Sequence, residues 1–189
     1  MKRGALLLLV PVVLLAGWSA PRAAVEKWTI DAGIDGFHAG FDNGLHVKDI
    51  WDGRGFRAGL VIRPAFQVEA IYTNLSTEMK GSPGSQYKQD ALGVRVMAVL
   101  KAAEDVRMNP YMFGGAGIET TKLNPGPAGG ASLKDSASFE DVGFGARIAV
   151  WKGLHANTEL FIRHQHTLQE TSSNAFFTFG VSWLIGHKK

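Results

Sequence analysis

From Asn174 to Ile185 the chain reads N-A-F-F-T-F-G-V-S-W-L-I. Every second residue from Phe177 is large and apolar: Phe177, Phe179, Val181, Trp183 and Ile185. Those between, Thr178, Gly180, Ser182 and Leu184, are mostly small or polar. Successive side chains of a strand point to opposite faces, so this stretch has one greasy face and one small face. A soluble sandwich would lay the greasy face on a core. A membrane barrel turns it toward lipid and the small face toward the lumen.

The same alternation recurs along the chain. Strands are predicted over about 27–37, 55–62, 66–75, 90–101, 109–120, 138–150, 154–166 and 174–185. Trp28, Ile30, Ala32 and Ile34 alternate with Thr29, Asp31, Gly33 and Asp35. Phe56, Ala58, Leu60 and Ile62 alternate with Arg57, Gly59 and Val61. The fifth strand, around Phe113-Gly114-Gly115-Ala116-Gly117, is too rich in glycine for its faces to be assigned. Most strands are close to the length that crosses a bilayer, about 9–11 residues. The connections run long, tight, long, medium, long, tight and moderate, which fits an antiparallel barrel with short turns on one side and long loops on the other. No helix-period pattern stands out after residue 24.

The N-terminus reads differently. Lys2-Arg3 precede an apolar run from Ala5 to Ala16, and small residues follow at Gly17, Ser19, Ala20, Ala23 and Ala24. That is the layout of a secretory signal peptide. Residues 1–24 are read as that segment, with the cut between 19 and 25, and residues 25–189 as one barrel domain. The formal net charge of +3 lies within the signal: without Lys2, Arg3 and Arg22, the 20 Lys and Arg fall to 17, against 17 Asp and Glu. No basic excess is left to draw the protein to nucleic acid. With 0 cysteines, disulfides, thiolate metal sites and a Cys nucleophile are excluded. No later apolar stretch is long enough for a membrane helix, so a membrane-spanning mature chain has to be a closed barrel.

Asn109-Pro110-Tyr111-Met112-Phe113-Gly114-Gly115-Ala116-Gly117 resembles the "PY…GaG" strand of small OmpA-like outer-membrane barrels. Phe139 to Arg163, with the tight turn Trp151-Lys152-Gly153, resembles the sixth-to-seventh hairpin of that group. The closing strand, Phe177, Phe179, Val181, Trp183 and Ile185, is similar to the C-terminal signal read by the barrel-insertion machinery, although the last residue is Lys189 rather than an aromatic. The resemblance implies an all-β fold, an eight-stranded antiparallel up-and-down transmembrane barrel in the bacterial outer membrane. No cell-wall-binding domain follows the barrel, so no cell-wall tether is expected.

The charged residues share one face class. By parity Asp31, Asp35, Arg57, Glu69, Arg95, Arg147, Glu159 and Arg163 point opposite to the greasy faces. In an eight-stranded barrel the lumen is just wide enough for side chains to fill it. Buried charges need partners, so these eight are expected to form an ion-pair network that plugs the barrel. A narrow non-specific pore is the alternative. Trp28, Phe37, Phe56, Phe66, Tyr72, Trp151 and Trp183 mostly fall near strand ends, where barrels carry aromatic belts.

Chemistry is sparse. His164 and His166 share a strand face as metal ligands could, but no third ligand stands beside them, so no metal or cofactor is expected. Outer-membrane lipid A deacylases are also small barrels, and they place a His and a Ser close together on a late strand. Here His164 or His166 would have to reach Ser172 or Ser173, which the pattern puts in a loop beyond His166, and the His-x-Ser spacing is missing. The chain is therefore read as a structural or surface-interacting barrel rather than an enzyme, with lipid A acyl hydrolysis as the second alternative. The expected partners are outer-membrane lipid or lipopolysaccharide, the insertion machinery, and surface ligands at loops 38–54, 76–89 and 121–137.

Overall fold

A computed structural model describes residues 28–41, 47–63, 65–82, 84–100, 108–125, 132–166 and 171–186. The expected signal peptide lies outside these residues. The strands are β1 Thr29–Phe41, β2 Ile50–Arg63, β3 Phe66–Glu78, β4 Gln86–Val99, β5 Met108–Asn124, β6 Leu133–Trp151, β7 Leu154–His166 and β8 Thr171–Ile185. Each pairs antiparallel with the next, and β8 pairs with β1 to close the barrel. Closure leaves no unpaired edge, so every spanning strand has its backbone groups bonded on both sides.

The distribution of burial is inside out relative to a soluble protein. Ile118 is 67% exposed, Phe144 59%, Leu92 55% and Ile185 56%, whereas Asp31, Glu69 and Glu159 are 0%, 0% and 2% exposed. An apolar surface this continuous would drive association in water and is stable only against lipid. Trp28, Phe66, Trp151 and Trp183 are exposed and gather at the end where β1 begins, β8 ends and the β2–β3 and β6–β7 turns lie. Phe56 stacks on Tyr72 with ring centroids 6.4 Å apart, and Phe37 meets Phe177 edge-on at 6.1 Å, all on the outer surface.

Two expectations are corrected. The strands are 13 to 19 residues long, so most of the predicted outer loops are β-structure. Residues 38–41 continue β1 and 50–54 belong to β2; 76–78 and 86–89 extend β3 and β4; 121–124 and 133–137 extend β5 and β6. Connections remain only at 42–49, 79–85 and 125–132, and Val47 forms a further bridge to Met79. The sequence signal was apolar alternation, which ends where lipid ends. Backbone pairing needs no apolar face and carries on beyond the hydrocarbon layer through residues such as Thr120, Thr121, Ser136 and Ser138. The sorting of connections into long outer and short inner is correspondingly blunted, because 100–107 spans as much chain as the outer connections.

The second correction is local. Register against β8 slips between Asp35 and Phe37. The bulge reverses the alternation, so Phe37 joins the outer face and His38 turns inward, 1% exposed. The sequence pattern places His38 first in the 38–54 loop, whereas it lies within β1. The tight turn after β6 stands, and Gly153 holds it at φ +73. Its carbonyl accepts from the Leu184 N–H at 2.8 Å, and an added Cβ would lie 2.9 Å from the Leu184 carbonyl oxygen.

Candidate functional site: a filled lumen and a polar outer rim

All eight charged residues singled out above lie inside the barrel, each 8% exposed or less. Glu159 on β7 is the hub. It accepts from Arg57 Nη1 at 2.7 Å, Arg95 Nη1 at 2.9 Å and the Tyr111 hydroxyl at 2.8 Å, donors carried by β2, β4 and β5. Arg57 also pairs with Asp35. Arg95 continues to Asp141 at 3.3 Å, and Arg163 holds the same carboxylate through Nε at 2.8 Å and Nη2 at 2.9 Å. Arg163 also reaches Glu119 at 3.2 Å. One connected chain of charges thus runs Asp35–Arg57–Glu159–Arg95–Asp141–Arg163–Glu119. Nearer the turn end, Arg147 pairs with Asp31, and Gln67 donates to Asp31 at 3.1 Å while accepting from Arg147 at 3.2 Å.

Sequence reasoning missed Glu119 and Asp141. Asp141 shares its parity with Gly143 and Arg147 in a strand already identified, so the signal was present. Glu119 stands on the glycine-rich fifth strand, whose faces were left open. The reason for those glycines is now visible. A Cβ at Gly115 would come within 2.7 Å of the Arg95 side chain, and one at Gly145 within 2.7 Å of the Tyr111 ring. Inward glycines leave the room that their large neighbours occupy.

Glu69 differs from the rest. It stands opposite Arg95 on β4 and Gly59 on β2, yet neither carboxylate oxygen has a hydrogen-bond partner. Among the described buried residues, six carboxylates (Asp31, Asp35, Glu69, Glu119, Asp141, Glu159) face four guanidiniums (Arg57, Arg95, Arg147, Arg163).

Aromatic rings pack across the loop side of the lumen. The Arg163 guanidinium lies 3.9 Å from the Phe139 centroid, and that of Arg95 4.4 Å from Phe113. Phe161 stacks on Phe176 at 5.3 Å, and Trp51 meets Phe176 at 5.7 Å and Tyr87 at 5.6 Å. A cavity of about 20 Å³ sits among Asp35, His38, Glu159, Phe176 and Thr178. That is room for a water molecule.

The histidines divide between the faces. His155 is buried, with Nδ1 2.9 Å from the Gly153 carbonyl oxygen. His164 faces outward. Ser172 and Ser173, expected in a loop, belong to β8, because the β7–β8 ladder extends to His166↔Thr171. His164 therefore stands opposite Ser173, with Nδ1 2.7 Å from Oγ. Ser172 turns inward and donates to Gln165 at 2.9 Å. Glu140 on β6 is the register partner of His164 on its other side. Among the described residues, no three His, Asp or Glu side chains are grouped to hold a metal ion. Phe177, Phe179, Val181, Trp183 and Ile185 alternate along β8 with Thr178, Gly180, Ser182 and Leu184, all of which are buried.

The profile of the outer membrane protein beta-barrel domain family matches residues 10–183. No curated protein matches the chain in sequence. Solved structures share the fold, three of which follow. Neisserial surface protein A is 12% identical, covers 84% of this chain and 97% of its own, and superposes with a TM-score of 0.57. Ail, the attachment invasion locus protein of Yersinia pestis, is 9% identical, with coverage of 85% and 100% and a TM-score of 0.55. The outer membrane protein OprG of Pseudomonas aeruginosa is 11% identical, with coverage of 87% and 100% and a TM-score of 0.54.

Proposed function

Since the chain belongs to the outer membrane protein beta-barrel domain family, a barrel of the bacterial outer membrane, we propose that it is a sealed, lipid-embedded scaffold that acts through its outward and rim surfaces. The observation that carries this reading is the connected ion-pair chain from Asp35 to Glu119, capped by the Trp51, Phe161 and Phe176 rings. Opening a path would require separating several buried pairs at once, at about 3–5 kcal/mol for each one broken. The resemblance in fold to a protein named for attachment and invasion is in keeping with an outward role. Planar-bilayer recording of the refolded protein tests the seal. The expected trace is silent, and discrete single-channel steps would replace the scaffold with the narrow pore. Deleting the tips 79–85 and 125–132 should leave folding intact and remove any surface-adhesion phenotype. A phenotype that survives both deletions would move the binding surface elsewhere.

One contact favours a second reading, acyl hydrolysis of a membrane lipid. His164 Nδ1 lies within hydrogen-bond distance of Ser173 Oγ on the outer face, just past the last outward apolar residues Val142 and Ile162, and a nucleophile needs such a base in reach. Lipid A from cells expressing the wild type and Ser173→Ala decides it. Identical acyl patterns in both dispose of the hydrolase.

A further inference from the structure

The β4–β5–β6 register sets three lysines in one row. Lys88 stands opposite Lys122, and Lys122 opposite Lys134. All three share the parity of the lipid-facing residues of their strands: Leu92 and Val94 on β4, Ile118 on β5, Val142 on β6. Like charges directly opposite each other in a sheet destabilise it, so the arrangement calls for an anion. The protein does not supply one among the described residues, whose exposed ion pairs engage Lys48 and Lys80 instead. Asp90, one outward position below Lys88, is held by Asn74 and by the Tyr72 hydroxyl at 3.4 Å. The loop between Lys122 and Lys134 includes Gly126-Pro127-Ala128-Gly129-Gly130-Ala131 and carries no charge there. Beneath the lysines runs a row of hydroxyls, Thr120 and Ser136, whose oxygens are 3.3 Å apart.

Height identifies the anion. Four residues of tilted strand separate Ile118 from Lys122, which places the lysines about 10 Å beyond the last outward apolar residue of β5. They lie where the headgroups of the outer leaflet begin, facing sideways into the membrane rather than into the medium.

We propose that Lys88, Lys122 and Lys134, with the Thr120 and Ser136 hydroxyls below them, form a binding site for a phosphate-bearing lipid headgroup of the outer leaflet. Three ammonium groups spread across adjacent strands suit a headgroup with more than one phosphate. The site rests on the barrel's membrane placement and not on the sealed lumen, so a conducting barrel would leave it standing.

The test is native mass spectrometry of the full mature protein released from nanodiscs containing diphosphorylated lipid A, or lipid A of the same acyl pattern stripped of phosphate. Wild type should retain the phosphorylated lipid and not the stripped one. The triple variant Lys88→Gln/Lys122→Gln/Lys134→Gln should lose retention by roughly tenfold or more, and the triple arginine variant should recover it. Folding of each variant is checked by its heat-dependent gel shift. If the triple glutamine variant does not fold, Lys122→Gln alone, which breaks the centre of the row, gives the same comparison. A second readout is thermal unfolding in zwitterionic detergent. Without a bound anion the glutamine variant should melt higher than wild type, because the repulsion is gone, and added phosphorylated lipid should raise only the wild type. Equal retention by wild type and the glutamine variant overturns the site. Tight binding of a soluble sulfated oligosaccharide that displaces the lipid would assign the row to an external polyanion and overturn the lipid.

Discussion

Glu159 and Glu69 are both buried carboxylates of the same lumen, and the contacts around them predict opposite responses to the same substitution. Glu159 binds Arg57, Arg95 and Tyr111. Glu159→Gln removes the charge that both guanidiniums share and should cost about 3–5 kcal/mol, the typical cost of leaving buried charge uncompensated. Glu69 accepts no hydrogen bond, and it adds a sixth carboxylate to a lumen with four described arginines. Glu69→Gln should therefore be neutral or stabilising. Urea titration in liposomes, following the fraction that keeps the unheated gel mobility, measures both. A Glu69→Gln loss as large as that of Glu159→Gln would show that the Glu69 carboxylate is paired in the membrane. Asp141 and Glu119 belong in the same account, and they mark the limit of parity reading. Parity finds an inward charge where apolar residues define the opposite face, as beside Val142, and fails where glycines leave both faces blank, as around Gly115.

At the scale of the element, two glycines control how strands begin and turn. Gly153 sits at φ +73 in the turn between β6 and β7. Gly153→Val should destabilise the barrel by about 1–3 kcal/mol, and Gly153→Asn by less, since asparagine tolerates this conformation. Unfolding midpoints of the two variants should fall in that order. Gly36 lies in the register slip that turns Phe37 out and His38 in. Deleting Gly36 should restore plain alternation and leave Phe37 on the lipid side and His38 on the lumen side, because Phe37 then directly follows the inward Asp35. Cysteine introduced at position 38 and tested with a membrane-impermeant and a lipid-soluble thiol reagent reads the orientation. Reaction of position 38 with the lipid-soluble reagent once Gly36 is removed would refute Gly36 as the inserted residue. The longest ribbon, β5–β6, shows why the loops were overestimated. It pairs without interruption from Met108↔Ile148 to Leu123↔Leu133, well past the point where hydrophobic alternation stops.

For the whole molecule, closure of β8 on β1 makes the barrel one cooperative unit with no free edge. Protein extracted from outer membranes should run at a different apparent mass in SDS when unheated, and shift on boiling. An unshifted band in the soluble periplasmic extract would turn every lipid-facing residue here into a core residue. The interior carries the ion pairs, and the outer surface carries rows such as Glu140–His164–Ser173 and Lys88–Lys122–Lys134.

The class of fold is legible in the chain alone: successive strands of membrane-spanning length, greasy on one face and charged on the other, permit a membrane barrel and little else. Strand parity, a local property of the backbone, also assigns eight of the inward charges from the chain alone, though not Glu119 among its glycines. The tertiary structure decided the partners. Glu159 meets Arg57 and Arg95 only because the barrel closes and brings β7 across from β2 and β4. It also decided where strands end, since pairing depends on a neighbour rather than on a residue's own hydropathy. The lysine row, too, exists only in register. Lys88, Lys122 and Lys134 are far apart in the chain, and only the ladder makes them neighbours.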